Sequence, residues 1–472
     1  MKKKKQNSNP QITLLAYLFM ALFLVMLGHF AYFVQVEGKD AINNPYNKRQ
    51  ELLEERIIRG NIYSADRKVL AETVLKKDGS QVRSYPYDNL FCHVVGRVKN
   101  SYTGIELAQC YPMLTSSTNG LEQVWNQIKG EKSQGDHVVT TLNYQLQKVA
   151  YESLGEHQGA VVAMEPSTGK ILAMVSKPDY NPNTVEKDWD RLVQDEEQES
   201  ALINRATQGL YPPGSTFKIL TALEYMRENK KSQNFSYDCR GSVTYGGNTI
   251  RCYNGEVHGT VDLEQAFAES CNGAFATMST SLQLGNFRSL CEEFLFNKPL
   301  PVDFQYNPSS FSLDKSAGPA DVAQTGIGQG KTLVSPLHNA MIAAVIANKG
   351  VMMVPYVVDH TENAGGSIVK SYSPHAATQV ISPKEAKKLK KLMKAVVTHG
   401  TATALGYGSY QAAGKTGTAE YDSAGSSHAW FIGFAQAGKR KLAVSILVEG
   451  AGTGSTYAVP IAKKLFEKYF AE

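Results

Sequence analysis

"GSYQAAGKTGTAEY" (residues 408–421), "HAWFIGFAQAG" (428–438) and "KLAVSILVEG" (441–450) are three strand-like runs, separated by turns, near the end of the chain. Their succession predicts an antiparallel sheet. Much earlier, "GAVVAMEPSTGKILAMVS" (159–176) has two apolar strands around a Pro-Ser-Thr-Gly turn, a pattern typical of a hairpin. The region 217–349 between them is rich in helical patterns. Strands at both ends with helices between predict an α+β domain, with an antiparallel sheet flanked by helices and a largely helical part.

An apolar run from residue 12 to residue 36 lies near the start of the chain, just after four lysines at 2–5. It contains no Asp, Glu, Lys or Arg, and about 20 apolar residues suffice to span a bilayer. A secretory signal peptide is the alternative, although its apolar core is usually only about 7–15 residues long. We expect a single membrane-spanning helix at 12–36. The positive-inside rule keeps residues 1–11 in the cytoplasm and places the remaining chain outside it.

We predict two domains in the part of the chain that follows the membrane helix, because its length suggests more than one domain. Residues 37–139 begin with a polar stalk and continue with "RGNIYSADRKVLAET" (59–73), which predicts a strand, a turn and a second strand. No catalytic cluster occurs there, so we predict an extended, mixed α/β pedestal or dimerisation-like domain. "TTLNYQLQKVAYESL" (140–154) has a Thr/Asn helix start and helical apolar spacing, and it opens a second domain at 140–472.

Charge and cysteine content limit the partners and cofactors. The net charge is only +5, and no long basic tract occurs beyond the N-terminus, so a nucleic-acid partner is not expected. Six cysteines are present, and disulfides are permitted outside the cytoplasm. A Gly-Gly turn between Cys239 and Cys252 allows these two to meet, either as a disulfide or as unpaired thiols. No CxxC or His/Cys cluster is evident in the sequence, so neither a metal nor a cofactor is expected.

The first candidate for chemistry is Ser215 with Lys218, in "YPPGSTFKILTALEYM" (211–226). The Pro-Pro-Gly segment ends any preceding element, so Ser215 lies at a helix start and Lys218 one turn later on the same face. Free backbone N–H groups and the helix dipole at that end favour an oxyanion beside the serine. A serine nucleophile needs an adjacent base, which a neutral, buried Lys218 could supply. An ordinary Ser N-cap is the alternative.

The second candidate is Ser270 with Asn272, in "AFAESCNGAFATM" (266–278), at a junction predicted between two apolar helices. Both side chains would project from one short turn. Simple capping is the alternative reading. Cys271 between them has no nearby His or Lys in the sequence to lower its pKa, so a buried structural thiol is expected there.

The third candidate is Lys415-Thr416-Gly417-Thr418, on the first of the three C-terminal strands. Glycine inside a strand often marks the close approach of another backbone, and an extended peptide could pair with such an edge. Lys415 could attract a carboxylate and depress the pKa of Lys218. The alternative is a turn of small polar residues.

The three clusters together are far more specific than any one of them. Ser-x-x-Lys, Ser-x-Asn and Lys-Thr-Gly occur in the order found in penicillin-binding proteins and class A β-lactamases. The chain resembles the class B penicillin-binding proteins, the monofunctional peptidoglycan D,D-transpeptidases. "RGNIYSADRKVLA" (59–71) resembles their N-terminal signature, with Lys68 where glycine is usual, and "YPYDNLFCHVVG" (85–96) and "GLEQVWNQIKG" (120–130) resemble pedestal motifs. The transpeptidase motifs cover most of the rest, with Ser-Cys-Asn where some relatives carry Ser-Asp-Asn.

The resemblance implies a role for each matching residue. Ser215 attacks the carbonyl of the penultimate D-Ala of a stem peptide, and Lys218 takes its proton. Ser270 relays a proton with Lys218 and Lys415. The substrate-binding residues implied are Asn272 for the donor peptide and Thr416, Gly417 and Thr418 around the terminal carboxylate. The backbone N–H groups of Ser215 and Thr418 form the oxyanion hole, and β-lactams acylate the same serine.

Other functions share parts of this pattern. A β-lactamase needs a water-activating group, and no Glu-x-x-x-Asn arrangement is convincingly placed between Asn272 and Lys415. A D,D-carboxypeptidase differs only in using water as the acceptor. A catalytically dispensable sensor or activator is a third alternative, although sensors usually carry further membrane spans. The expected partners are stem peptides, β-lactams, the membrane and a separate glycan polymerase of the SEDS type, because no glycosyltransferase domain fits before the transpeptidase.

Overall fold

The computed structural model describes residues 10–33, 53–118, 128–194, 200–421 and 426–471. The strands in chain order are β1 (Ile57–Ile58), β2 (Ile62–Tyr63), β3 (Val69–Leu75), β4 (Gln81–Ser84), β5 (Ser133–Gln134), β6 (His137–Thr140), β7 (Gly159–Met164), β8 (Ile171–Lys177), β9 (Tyr237–Cys239), β10 (Ser242–Tyr245), β11 (Asn248–Arg251), β12 (Gly259–Val261), β13 (Val351–Met353), β14 (Val358–Glu362), β15 (Ile368–Ser371), β16 (Ala376–Gln379), β17 (Gln411–Glu420), β18 (Ser427–Ala437) and β19 (Arg440–Val448). The helices are α1 (Pro10–Tyr32), α2 (Cys92–Val95), α3 (Gly104–Ala108), α4 (Cys110–Met113), α5 (Tyr144–Leu154), α6 (Val185–Val193), α7 (Lys218–Glu228), α8 (Leu263–Ala268), α9 (Asn272–Thr280), α10 (Leu284–Glu293), α11 (Pro319–Gly326), α12 (Pro336–Ala347), α13 (Pro383–His399) and α14 (Gly454–Ala471).

A five-stranded sheet with the order β17-β18-β19-β7-β8 organises the C-terminal part. Every neighbouring pair is antiparallel, which confirms both the predicted hairpin and the predicted C-terminal sheet. β19 pairs with β7, so strands from the two ends of the domain form one sheet. β17 is left at the edge, where its outer side is available to a further strand. The predicted α+β class is confirmed.

Two pairs of helices enclose this sheet. All side chains of β18 from Ser427 to Ala435 are buried, and a strand buried on both faces requires a layer on each side. Helices α12 and α13 pack on each other and on the sheet, as do α5 and α14. Every residue of α12 is buried, which explains its nearly continuous apolar sequence. The edge strand β17 is thus held on a rigid, fully packed scaffold.

A second sheet, with the order β15-β14-β6-β2-β3-β4, lies in the N-terminal part. The strand–turn–strand predicted at 59–73 is confirmed, since β2 and β3 pair antiparallel. Two of its strands, β14 and β15, come from the region after residue 350, and the predicted domain boundary at 139/140 falls inside β6. The two regions share one continuous apolar core. The division at 37–139 and 140–472 remains a prediction.

The apolar helix near the N-terminus is α1, which covers 23 residues with no buried side chain. It is long and apolar enough to cross a membrane, and no other helix among the described residues meets that test. It begins two residues before the predicted span of 12–36, and residues 34–36 lie outside the described residues, as do residues 1–9 and most of the motif at 120–130.

A buried ion cluster stabilises the N-terminal part. Glu106 is fully buried and accepts hydrogen bonds from Arg59 Nε at 2.8 Å and Arg83 Nε at 2.7 Å. Arg83 also donates to the Gly60 carbonyl at 2.8 Å. Burial alone would raise the pKa of Glu106, but the two guanidinium groups outweigh it and hold this pKa below its usual value. One buried carboxylate therefore pairs with two guanidinium groups that are withdrawn from water.

Replacing Glu106 with alanine is expected to lower the free energy of unfolding by roughly 3–5 kcal/mol, because it removes the buried counter-charge of Arg83 and leaves Arg59 with the partly exposed Glu54 carboxylate at 3.7 Å. The midpoint of guanidinium denaturation of the detergent-solubilised protein measures the change. Glu55→Ala is the matched control, since Glu55 is exposed, and it should change the stability by no more than about 0.5 kcal/mol. Equal midpoints for the two variants would contradict the cluster's stabilising role.

Candidate active site

The candidate serine lies at the start of a helix, as predicted. Residues Gly214–Phe217 form one 3-10 turn that continues directly into α7. Ser215 is half-buried and borders a cleft of about 1190 Å³, which Ser270, Asn272, Thr416 and Thr418 also line. The Ser215 hydroxyl has no hydrogen-bond partner among the described residues. It is thus a free hydroxyl beside open space, at a helix N-terminus.

Two glycines allow the serine turn to approach the edge strand closely. Gly214 has φ +53°, and a Cβ there would lie 2.6 Å from the Thr418 carbonyl oxygen. A Cβ on Gly417 would lie 2.9 Å from Trp430 Cβ and 3.0 Å from Thr216 Cγ2. Neither site has room for a side chain, and the positive φ at Gly214 favours glycine independently. These glycines bring Ser215 next to Thr418.

Lys218 lies beneath the cleft with no exposed surface. Its Nζ donates to the Ser270 carbonyl at 2.7 Å, to Ser270 Oγ at 3.1 Å and to Asn272 Oδ1 at 2.6 Å. Burial lowers the pKa of Lys218 to about 7. The amine is therefore poised between its charged and neutral forms near neutral pH, which is the property required of a general base.

The Ser-Cys-Asn turn joins α8 to α9, as the sequence predicts. Ser270 has φ +61°, a left-handed conformation that costs free energy in a non-glycine residue. This conformation presents both its carbonyl and its hydroxyl to Lys218. Both polar atoms of the Asn272 side-chain amide are hydrogen-bonded. Oδ1 accepts from Lys218, and Nδ2 donates to the Arg251 carbonyl at 2.8 Å. The turn is thus held by a strand-end carbonyl on one side and by the lysine on the other.

Lys415 is also fully buried, and it donates to the Thr416 carbonyl at 3.1 Å. Burial, and to a smaller extent the charge of Lys218, lowers the pKa of Lys415 well below its usual value. No hydrogen bond joins Lys415 to Ser270 among the described residues, so the relay implied by the resemblance is not a direct contact here. Thr416 Oγ1 lies 2.5 Å from Thr401 Oγ1. Nothing in the sequence around Thr401 indicated that it would line the cleft.

The structure thus brings all the predicted site residues to one place. Ser215, Asn272, Thr416 and Thr418 face the cleft, and Lys218 and Lys415 lie below it. Their individual roles remain predictions. The segment between β9 and β12 forms one wall of the same cleft, and sequence reasoning assigned no site residue to it.

The cysteines depart from the sequence-based expectation. The hairpin of β10 and β11 brings Cys239 and Cys252 together, as its Gly-Gly turn suggests, but their sulfurs are 3.7 Å apart and both thiols are free. Cys271 is fully buried, as expected. However, it joins Cys239, Cys252 and His258 in one cluster, with all four ligand atoms within 4.8 Å of one another. No sequence motif indicated this cluster, because the four residues meet only in the folded chain.

Comparisons with known proteins agree with this geometry. The family model described as penicillin binding protein transpeptidase domain matches residues 159–467. The peptidoglycan D,D-transpeptidase PbpA of Mycolicibacterium smegmatis is 32% identical over 96% of this chain and 98% of its own length. The chain belongs to the class B penicillin-binding proteins. Family membership accounts for the order of the three motifs and for their convergence on one cleft.

Solved structures resemble this penicillin-binding protein over nearly the whole chain. The D,D-transpeptidase domain from Eggerthella lenta superposes with a TM-score of 0.80 at 29% identity, covering 88% of this chain and 99% of that one. Penicillin-binding protein A from Mycobacterium tuberculosis, solved as a penicillin G acyl-enzyme, has a TM-score of 0.79 at 31% identity, covering 87% of this chain and 99% of its own. The same fold therefore supports acylation by penicillin in a relative.

Proposed function

We propose that this protein is a penicillin-sensitive peptidoglycan D,D-transpeptidase that acts through an acyl-enzyme on Ser215. The observation that carries the proposal is the convergence of a free serine hydroxyl, a buried lysine and an accessible edge strand on one cleft. In the first step Ser215 Oγ attacks the carbonyl carbon of the penultimate D-Ala, and its proton passes to Lys218. The C–N bond then breaks, a proton is delivered to the departing nitrogen, and the terminal D-Ala leaves.

The second step forms the cross-link. An amine from a neighbouring stem peptide attacks the ester carbon and gives up a proton to Lys218, the C–O bond to Ser215 breaks, and Ser215 Oγ takes that proton from Lys218. The backbone N–H groups of Ser215 and Thr418 stabilise the oxyanion in both steps. The close approach of the serine turn to β17 supports this pairing. Asn272 and Thr416 to Thr418 hold the donor peptide, which lies along the open edge of β17 as an added strand.

Un-cross-linked glycan strands with pentapeptide stems provide the direct test. Incubation with the detergent-solubilised protein should release D-Ala and produce cross-linked stems in comparable amounts, both detected by mass spectrometry, and penicillin should block both. D-Ala release without cross-links would instead identify a D,D-carboxypeptidase. Rapid hydrolysis of penicillin with no stable acyl-enzyme would identify a β-lactamase.

The lowered pKa of Lys218 predicts how acylation depends on pH. A lysine accepts a proton only when neutral, and the neutral form of Lys218 predominates above its pKa of about 7. The neutral fraction rises from about 0.1 at pH 6 to about 0.9 at pH 8, so the rate of acylation by penicillin should increase about tenfold over this range. Stopped-flow measurement with a fluorescent penicillin tests this. A rate that is flat between these pH values would exclude Lys218 as the titrating base.

The proposed setting is the outer face of the cell membrane. Helix α1, the one membrane-length helix among the described residues, is the anchor, the lysines at 2–5 keep the N-terminus in the cytoplasm, and the catalytic part is extracytoplasmic. A separate SEDS-type polymerase would supply the glycan strands and contact the anchor and the N-terminal part. Cross-linking in membranes followed by purification should recover such a polymerase, and its consistent absence would count against this partner.

A further inference from the structure

A cluster of three cysteines and one histidine lies beside the Ser-Cys-Asn turn. Cys239, Cys252 and Cys271 are at most 2% exposed, and the side chain of His258 is 4% exposed. They come from four separate places: the end of β9, the end of β11, the loop before β12 and the start of α9. Thiols and an imidazole converge here in an almost dry pocket, and the proposed transpeptidation uses none of them.

Three of the six distances between the ligand atoms match the edges of a metal-centred tetrahedron, and all six are at most 4.8 Å. Zn–S bonds of about 2.3 Å and Zn–N bonds of about 2.0–2.1 Å place tetrahedral ligands about 3.8 Å apart for S–S and about 3.6 Å for S–N. Here Cys239 Sγ is 3.7 Å from Cys252 Sγ and 3.4 Å from His258 Nδ1, and Cys252 Sγ is 3.9 Å from Cys271 Sγ. A disulfide would need sulfurs about 2.05 Å apart and would leave two of the four groups unused.

The surroundings of the four groups are those of a metal site. Nδ1 of His258 faces the sulfurs, while Nε2 lies 3.8 Å from Glu256 Oε2, where an outer carboxylate can orient the ring. The backbone N–H of Ala274 points at Cys271 Sγ from 3.5 Å, which favours the thiolate. Three thiolates with one imidazole in tetrahedral geometry form a ligand set typical of structural zinc.

The segment from β9 to β12, which supplies three of the four ligands, has little apolar core of its own. In the hairpin of β10 and β11 only Ile250 is buried, and β9 with β12 buries only Cys239 and Val261. Small elements of this kind usually depend on a disulfide or a metal for their stability. A metal bound to all four ligands would attach the segment to the rest of the domain.

We propose that Cys239, Cys252, His258 and Cys271 bind one structural Zn²⁺ ion, and that this ion fixes the Ser-Cys-Asn turn in the position required for acylation. Cys271 lies directly between Ser270, whose carbonyl and hydroxyl accept hydrogen bonds from Lys218, and Asn272, whose side-chain amide oxygen accepts a third. Cys252 follows Arg251, whose carbonyl holds the Asn272 amide. The proposed transpeptidation uses none of the four ligands, so they are positioning residues.

Metal content of the intact protein is the first test. The full-length protein, purified in detergent without chelators, should contain about one zinc per chain by mass spectrometry of the metal. Co²⁺ exchanged into the site should give thiolate charge-transfer bands and the visible bands of a tetrahedral ion. His258→Ala should lose most of the metal, whereas His258→Cys should retain it. Cys291→Ala is the matched control, because Cys291 is a buried cysteine outside the cluster and its removal should leave the content unchanged.

The second test is functional. Removing the metal with a strong zinc chelator should slow acylation by penicillin at least tenfold, and added Zn²⁺ should restore it. This effect on acylation rests on the proposed function, whereas the metal content and the cobalt spectrum do not. The proposed metal site and the proposed function can therefore fail separately. Wild-type protein without stoichiometric metal, or with a Cys239–Cys252 disulfide by non-reducing peptide mapping, would overturn the metal site. Full acylation after complete metal removal would overturn its positioning role.

Discussion

Covalent labelling by fluorescent penicillin should be abolished when Ser215 is replaced with alanine, while the protein remains folded. Ser215 is the only one of the proposed catalytic groups that forms a bond to the substrate, and loss of a serine nucleophile can cost on the order of 10⁶ in kcat. Its hydroxyl makes no hydrogen bond among the described residues, so its removal leaves no buried group unsatisfied. Gel fluorescence after long incubation measures the labelling, and thermal unfolding of the same sample measures the fold.

Ser281→Ala is the matched control for this variant. Ser281 directly follows α9, is exposed, and its hydroxyl donates to the carbonyl of Met278 at 2.6 Å, so labelling of the variant should equal that of wild type. Peptide mapping of the labelled wild-type protein should place the adduct on the peptide containing Ser215. An adduct retained in Ser215→Ala, for example on Ser270, would show that the nucleophile is misassigned.

Lys218→Met should reduce the rate of acylation by at least about 10³-fold. The change keeps most of the side-chain volume in its buried site but removes the amine that donates to three oxygens of the Ser-Cys-Asn turn, and general base catalysis typically contributes 10²–10⁴-fold. The carbonyl and hydroxyl of Ser270 and the amide oxygen of Asn272 also lose their donor. Loss of proton transfer and loosening of the turn should therefore add to each other.

The control for Lys218→Met is Lys390→Met, which removes a partly buried lysine that bonds Gln436 at 3.2 Å, away from the cleft. This variant should acylate at the wild-type rate. The pH dependence separates the two contributions of Lys218: residual acylation in Lys218→Met should no longer rise between pH 6 and pH 8. Near-normal acylation in Lys218→Met would require another base.

The fold was largely predictable because its strands and helices are encoded locally. Apolar runs separated by turn residues indicated β7, β8, β17, β18 and β19, and the length and composition of α1 indicated a membrane helix. The sequence could not reveal that β14 and β15, from the region after residue 350, would complete the sheet of the N-terminal part. Such pairings depend on which edges remain open after the rest of the chain has packed, and local patterns carry no information about this.

The residues of the site were also only partly predictable from the sequence. The three motifs named Ser215, Lys218, Ser270, Asn272 and Lys415 to Thr418 in advance, because each combines a residue type with a local structural position. Thr401 was missed, since a threonine in a loop has no distinguishing local pattern. The four ligands of the cysteine cluster were missed for a related reason. They are spread over residues 239–271 without the short spacing that usually reveals a zinc site, and only the return of the hairpin onto α9 brings them together.

The sequence by itself determined the membrane-type helix, the α+β class and the identity of the chemical groups, because these follow from periodicity, length and residue type. Tertiary structure alone decided what those groups contact. It buried Lys218 and thereby lowered its pKa, it brought Gly214 and Gly417 close enough to place Ser215 beside β17, and it gathered three cysteines and a histidine around one point. Burial and distance are properties of the packed chain, so the chemistry of this cleft depends on contacts between residues far apart in the sequence.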